Sequence, residues 1–381
     1  MMKLLLIPLI LLYFSAFSQG DYKSFVNDKD NEYYQSQSFY PVKDFNIEAI
    51  CKGTKAKNVI LFIGDGMGTS QVYAALTANG GSLYMTSLKF SGFSKTNSGS
   101  DYVTDSGAGG TAIACGKKTY NYAIGVDMDT VPMVSILELA EKKGLSTGMV
   151  ATAAITHATP ASFMAHNRDR NNYEEIALDF LKTDIDIFIG GGRDHFASRK
   201  DKRNLLDELA KKGYQVCDSL NTSISKDKVA VFTASGHNPE AKYRKNMLPI
   251  ATQKAIDLLS KNKNGFFLMV EGSQIDWGGH DNDLPQVIEE TLDMDKALAV
   301  ALEFAEKNGE TLIIVTADHE CGGLSLKNGS LEKGIVVAEF STLDHTSVMV
   351  PVFAIGPGAE KFTGVYENTS IFDKMKVALG L

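Results

Sequence analysis

Carboxylates and imidazoles gather just past the apolar runs of this chain. Asp65 follows the run 59–63. Thr156, His157 and Thr159 follow 147–151. Glu271, Asp276 and His280 follow 266–270, and Asp318 and His319 follow 312–315. In a parallel sheet the carboxyl ends of the strands share one edge, and ligands bind outside it. Four strands that deliver such groups to one edge predict a metal site. Asp276 and His280 stand four residues apart, a spacing at which both can face one ion. Imidazole mixed with carboxylate favours Zn2+, whereas an all-oxygen set favours Mg2+. Asp65, Thr159 and Glu271 would make a partial Mg2+ shell, completed by water.

A second segment, VTDSGAGGTA at 103–112, sets Ser106 after Asp105 and before a run of small residues that can enter a helix. A serine there meets the positive end of the helix dipole and free backbone N–H groups. That suits a nucleophile attacking phosphorus beside a held anion. The same residues also read as a plain Asp or Ser helix cap. No Ser-His-Asp arrangement lies nearby in sequence, so metal coordination is the other route to an activated hydroxyl.

The elements that must position these groups alternate regularly. Runs at 59–63, 147–151, 185–189, 266–270, 312–315 and 350–355 are apolar throughout and read as buried strands. Helical stretches around 133–143, 173–182, 204–212, 251–261 and 285–307 separate them. Such alternation predicts an α/β fold with a mostly parallel sheet covered on both faces. Residues 191–245, rich in charge, Gly and Ser, read as a peripheral excursion from that sheet. The polar, aromatic stretch 19–48 reads as an N-terminal arm packed on its own domain or on a neighbouring subunit. Residues 49–381 then form a single catalytic domain.

The chain has 381 residues, 44% of them hydrophobic and 22% charged, an ordinary globular composition. A net charge of −8 without a basic block speaks against binding to nucleic-acid backbones. Residues 1–18 hold one Lys, an apolar run and then small residues, the layout of a secretory signal peptide. The apolar run is short for a membrane anchor, which needs about 20 residues. A periplasmic or secreted protein with no membrane span after cleavage is expected. Cys51, Cys115, Cys217 and Cys321 show no C-x-x-C spacing, and an oxidising compartment permits either disulfides or buried thiols. His166 and His237 lack ligand spacing and read as structural or solvated, and His195 reads as part of a surface loop.

IGDGMG, VTDSGAGGTA, HATPASFMAHNRDR, EGSQIDWGGH, TADHE and HTS occur in the order and type of the alkaline phosphatase family. The resemblance runs from about Asn58 to Gly358. It implies a three-layer α/β/α sandwich, a homodimer, two Zn2+ and one Mg2+. The implied reaction is hydrolysis of small phosphate monoesters through a phosphoserine. By this resemblance Ser106 is the nucleophile. Asp276, His280 and His345 hold the first zinc, which activates water and receives the leaving-group oxygen. Asp65, Asp318 and His319 hold the second, which keeps Ser106 as an alkoxide. Asp65, Thr159 and Glu271 hold the magnesium. Arg170 grips two phosphate oxygens and Asp105 orients it; Arg168 sits at the wrong offset.

At two positions where family members vary, this chain carries His157 and Trp277. His157 would stand beside the magnesium site. Trp277 offers one N–H and no charge where others offer a cation near phosphate. Cys321, close to His319, reads as a buried thiol rather than a ligand. The short chain predicts a minimal core with an open site and broad leaving-group tolerance. A phosphodiesterase of the same superfamily is one alternative, although diesterases tend to lack the arginine in Arg170's role. A sulfatase would need a C/S-x-P-x-R motif, and Ser106 is followed by Gly-Ala-Gly. A binding protein without turnover is the remaining alternative.

Overall fold

The computed structural model describes residues 31–381. The signal-peptide reading of residues 1–18 and the first part of the arm lie outside the described residues. In chain order the strands are β1 (Glu32–Gln35), β2 (Asn58–Gly64), β3 (Phe90–Lys95), β4 (Ser146–Ala154), β5 (Ile187–Gly191), β6 (Gln215–Cys217), β7 (Val229–Phe232) and β8 (Phe266–Gly272). There follow β9 (Thr311–Thr316), β10 (Glu320–Cys321), β11 (Ser325–Ser330), β12 (Ile335–Glu339), β13 (His345–Thr346), β14 (Val350–Ile355) and β15 (Gly364–Glu367).

Ten of these form one sheet in the order β15-β3-β14-β9-β2-β8-β4-β5-β7-β6. From β9 to β6 every neighbouring pair is parallel, and β14 runs against both its neighbours. The apolar strands are buried on both faces, with alternate residues sent to opposite cores. Val59, Leu61 and Ile63 of β2 join one core with Met149, Phe267 and Ile314. Ile60 and Phe62 join the other with Val150, Leu268 and Ile313. Helices cover each face. The longest, Leu284–Asn308, is capped by Asp283, carries Pro285 in its first turn and stops at Gly309 with φ 72°.

Within the expected excursion 191–245, β6 and β7 pair in parallel with each other and β7 pairs with β5, so these two strands extend the sheet at one edge while short helices and loops make up the rest. The arm packs on its own chain. β1 pairs antiparallel with β12, and the Tyr40 hydroxyl donates to Asp295 at 2.6 Å. All four cysteines are free thiols, three of them buried.

Candidate active site and metal basin

Asp105 ends the loop before the helix Ser106–Cys115. Its Oδ1 accepts the Ala108 amide at 3.0 Å, capping the helix, and its Oδ2 accepts Arg170 Nη1 at 2.8 Å. Ser106 is thus the first helical residue, at the positive end of the dipole. Its Oγ lies 3.1 Å from His319 Nε2 and 3.3 Å from Asp65 Oδ1, and the residue is 1% exposed. The small residues after it are needed for approach: a Cβ at Gly109 would stand 3.1 Å from the Asp318 carbonyl oxygen.

Among the described residues, three groups could each hold an ion, with ligand atoms within 4.8 Å of one another. One is Asp276, His280 and His345, joined by Cys321. The second is Asp65, Asp318 and His319. The third is Asp65, Glu271 and His157. Thr159 Oγ1 donates to Asp318 Oδ2 at 3.4 Å and stands beside Glu271. Three strand ends supply Asp65, Glu271 and Asp318. The short helix Ile275–His280 supplies Asp276 and His280 on one face. His345 arrives from far along the chain because β13 pairs with β10, setting it opposite Cys321. Its Nε2 is then 3.2 Å from Asp276 Oδ1 and 3.1 Å from His280 Nε2. The loop after Asp65 reaches Asp276 through Gly66 at φ 74°, where any Cβ would sit 2.7 Å from the Asp276 Cα.

The electrostatics suit cations. Burial, then repulsion from Asp318, Asp276 and Glu271, pushes the Asp65 carboxyl well above its usual range. Burial lifts Glu271 to about 8, and burial with Asp276 lifts Asp318 to about 6. Burial opposes charge on Asp276, but His280 and His345 hold it well below its usual range. Asp276 in turn raises His280 to about 9. Buried carboxylates that repel one another want positive charge. Several buried atoms here also have no hydrogen-bond partner: Asp65 Oδ2, Glu271 Oε1 and His319 Nδ1. Buried polar atoms are normally satisfied. The donor set and its orphaned atoms fit divalent cations.

Arg170 flanks the basin opposite the carboxylates. Burial pushes Asp105 up, yet Arg170 and the Ala108 amide hold its carboxyl below the usual range, so the pair stays ionised. Arg170 Nη2 also donates to His157 Nε2 at 3.4 Å. Burial, then Arg170, keeps His157 well below the usual imidazole range and therefore neutral. His157 meets the Trp277 ring edge-on at 6.1 Å, and His237 packs against both, at 5.6 and 4.9 Å. Neither Trp277 nor His157 lines the open cavity. That cavity, about 540 Å³, is lined by Ser106, Arg170, Asp276, His280, His345 and residues of the rim.

Asp105, Ser106, Arg170, Asp276, His280 and His345 line one cavity, and Asp65 and His319 adjoin Ser106, whereas His157 and Trp277 are not on the cavity wall. Arg170 faces Asp105, whereas Arg168 offers only its carbonyl to Tyr120. His195 departs from the surface-loop reading. It lies in the helix Arg193–Ala197, bonds Thr156 Oγ1 at 2.6 Å and stacks on Tyr173 at 4.7 Å. His237 and Tyr173 carried no spacing signal and were missed. Tyr173 lies only three residues after Arg170, whereas His237 comes from a segment remote in sequence and reaches Tyr173 at 6.4 Å only through the fold.

A doubly covered parallel sheet with a helix-start serine, a guanidinium and clustered carboxylates and imidazoles at its carboxyl edge defines a metal-dependent hydrolase of phosphate esters. The alkaline phosphatase family model matches residues 56–339. The chain is 36% identical to alkaline phosphatase 4 of Bacillus subtilis, over 82% of this chain and 86% of that one. It is 34% identical to alkaline phosphatase of Escherichia coli, over 86% of each. The alkaline phosphatase of the Antarctic bacterium TAB5 superposes with a TM-score of 0.82 and 43% identity, covering 86% of this chain and 99% of that one. The chain belongs to the alkaline phosphatase family. It is a metal-dependent enzyme that hydrolyses phosphate monoesters.

Proposed function

We propose that hydrolysis runs through a phosphoserine on Ser106. The observation that carries this reading is the placement of Ser106 Oγ within 3.3 Å of His319 and Asp65, at a helix start, with Arg170 lining the same cavity. Ser106 Oγ attacks phosphorus as the ester P–O bond breaks and the alcohol leaves. Water then cleaves the phosphoserine, restoring Ser106 and releasing phosphate. Arg170 binds two non-bridging oxygens side by side, a match that Lys lacks. Asp105 fixes the plane of that guanidinium from behind. Neutral His157 accepts from Arg170 and adds no second positive charge. Trp277 backs His157, so its influence on phosphate affinity passes through the imidazole.

Asp276, His280 and His345 would hold one Zn2+, and Asp65, Asp318 and His319 a second. Asp65, Thr159 and Glu271 would hold Mg2+. The imidazoles of the first two groups favour zinc there, and the oxygens of Asp65, Thr159 and Glu271 favour magnesium, with the His157 imidazole standing beside them. A TAB5 alkaline phosphatase variant with a histidine replaced by aspartate, 42% identical to this chain, has Mg bound in its M3 site. Bound cations supply electrostatic stabilisation of the attacking and leaving oxygens. The Arg170–Asp105 pair favours monoesters over diesters, which have one fewer free oxygen to grip. We carry the homodimer as a proposal from family membership, and a periplasmic or secreted location from the leader-like residues 1–18. Among the described residues no helix is long and apolar enough to cross a membrane.

The test is acid quenching of the metal-loaded enzyme during turnover of a radiolabelled monoester, followed by peptide mapping. Label on Ser106 that is absent in Ser106→Ala supports the reading. Turnover by an enzyme that never carries label, or label on another residue, overturns it.

A further inference from the structure

Tyr122 stands at the cavity rim in a conformation that tyrosine rarely adopts. Its φ is 74°, in the left-handed region that favours glycine. The backbone is pinned there from both sides. Its carbonyl accepts the Arg170 amide at 2.8 Å, and its own amide serves the Asp105 carboxylate. A glycine would satisfy the same two hydrogen bonds without strain, so the bonds alone do not require a tyrosine. Strained residues of this kind cluster at ligand-binding sites. The Tyr122 side chain is 56% exposed and lines the cavity that opens above Ser106.

Tyr173 lines the same cavity. Its ring is fixed by stacking on His195, at 4.7 Å and 14° between planes, and His195 is tied to Thr156. The cavity of about 540 Å³ is several times larger than a phosphate group requires. Among the described residues Arg170 is the only Lys or Arg on its wall, and it is already paired with Asp105; Asp344 adds negative charge at the rim. The space therefore suits a flat, uncharged group rather than a second phosphate.

We propose that Tyr122 and Tyr173 form a leaving-group subsite for phosphate monoesters whose alcohol carries a flat, uncharged ring system, such as a nucleobase. The inference rests on the phosphomonoesterase reading of Ser106, and it narrows the broad tolerance expected from chain length. Stacking of a base on an aromatic side chain is sequence-tolerant and corresponds to about tenfold or more per base.

The test compares adenosine 5′-monophosphate with ribose 5-phosphate on the metal-loaded enzyme. Both present the same primary alcohol, so leaving-group chemistry is matched and the base is the difference. The expected ratio of kcat/KM is about tenfold in favour of the nucleotide. It collapses toward one in Tyr122→Gly, a residue suited to the backbone, and persists in Tyr122→Phe. Both substrates hydrolysed at a ratio near one, or a ratio unchanged in Tyr122→Gly, overturns the subsite alone. A ratio that falls only together with weakened inhibition by inorganic phosphate also overturns it, because Arg170 would then have moved. Hydrolysis of neither substrate overturns the subsite and the phosphomonoesterase reading together.

Discussion

The Ser106 hydroxyl lies 3.1 Å from His319 Nε2, yet the far nitrogen of that imidazole has no partner. In a Ser-His-Asp triad a carboxylate holds the second ring nitrogen and stabilises the imidazolium. Here the carboxylate nearest to His319 Nδ1 in the ion-pair geometry is Asp276 Oδ1, 4.0 Å away. Burial also keeps His319 well below the usual imidazole range. His319 thus lacks the carboxylate contact of a relayed base, in keeping with the ligand role proposed for it.

Ser106→Ala should therefore lower monoester turnover by at least about a thousandfold, as loss of a nucleophile does elsewhere. Thermal stability should change little. Retention of more than a few per cent of wild-type kcat would contradict the role of Ser106.

Arg170→Lys keeps the charge but loses the fork. Monoester kcat/KM should fall about a hundredfold, the scale of losing one aligned transition-state donor. Diester hydrolysis, however slow, should fall much less. Equal losses on monoester and diester would place Arg170 outside phosphate recognition.

Chelation should destabilise the protein as well as silence it. Without cations, buried Asp65, Asp318 and Glu271 repel one another. A cation bound only to the folded state at 100 times its Kd adds about 2.7 kcal/mol. Calorimetry with and without chelator should show Tm falling by several degrees and returning on addition of Zn2+ and Mg2+. An unchanged Tm would mean that the basin holds no tightly bound ion.

The contact between the arm and the long helix should make stability depend on pH. Burial pushes the Asp295 carboxyl up to about 6, although Tyr40 and the Tyr84 and Met85 amides donate to it. The folded chain keeps this proton up to about pH 6, whereas the unfolded chain releases it near 3.8. Between those values the folded state binds more protons, so this contribution to stability falls as pH rises from about 4 to 6. The change is on the order of 3 kcal/mol at most. Denaturant titrations of wild type and Asp295→Asn across that range should show the wild type losing ground as pH rises. A constant difference between the two would exclude the assignment.

Much of this was legible in the sequence because the chemistry and the core use unambiguous residues. An all-apolar run such as 59–63 has few places to go except a doubly covered strand, and Asp65 behind it must then meet the sheet edge. His345 could be named from its motif, but the reason it arrives, the two-residue pairing of β13 with β10, has no sequence signature. β6 and β7 were hidden because they are short. They have three and four residues, and only β6 stands at the sheet edge, where few apolar side chains are needed. His195 and His237 gave no periodic signal, since their partners Thr156 and Trp277 lie far away in sequence.

The most direct test is hydrolysis of a chromogenic phosphate monoester and its diester analogue at alkaline pH. Chelator-stripped protein would be assayed alone, then with Zn2+, then with Zn2+ and Mg2+, with Ser106→Ala in parallel. The account predicts monoester activity that returns with Zn2+, rises further with Mg2+ and is absent from Ser106→Ala. Diester preference, or full activity in the stripped protein, would contradict it.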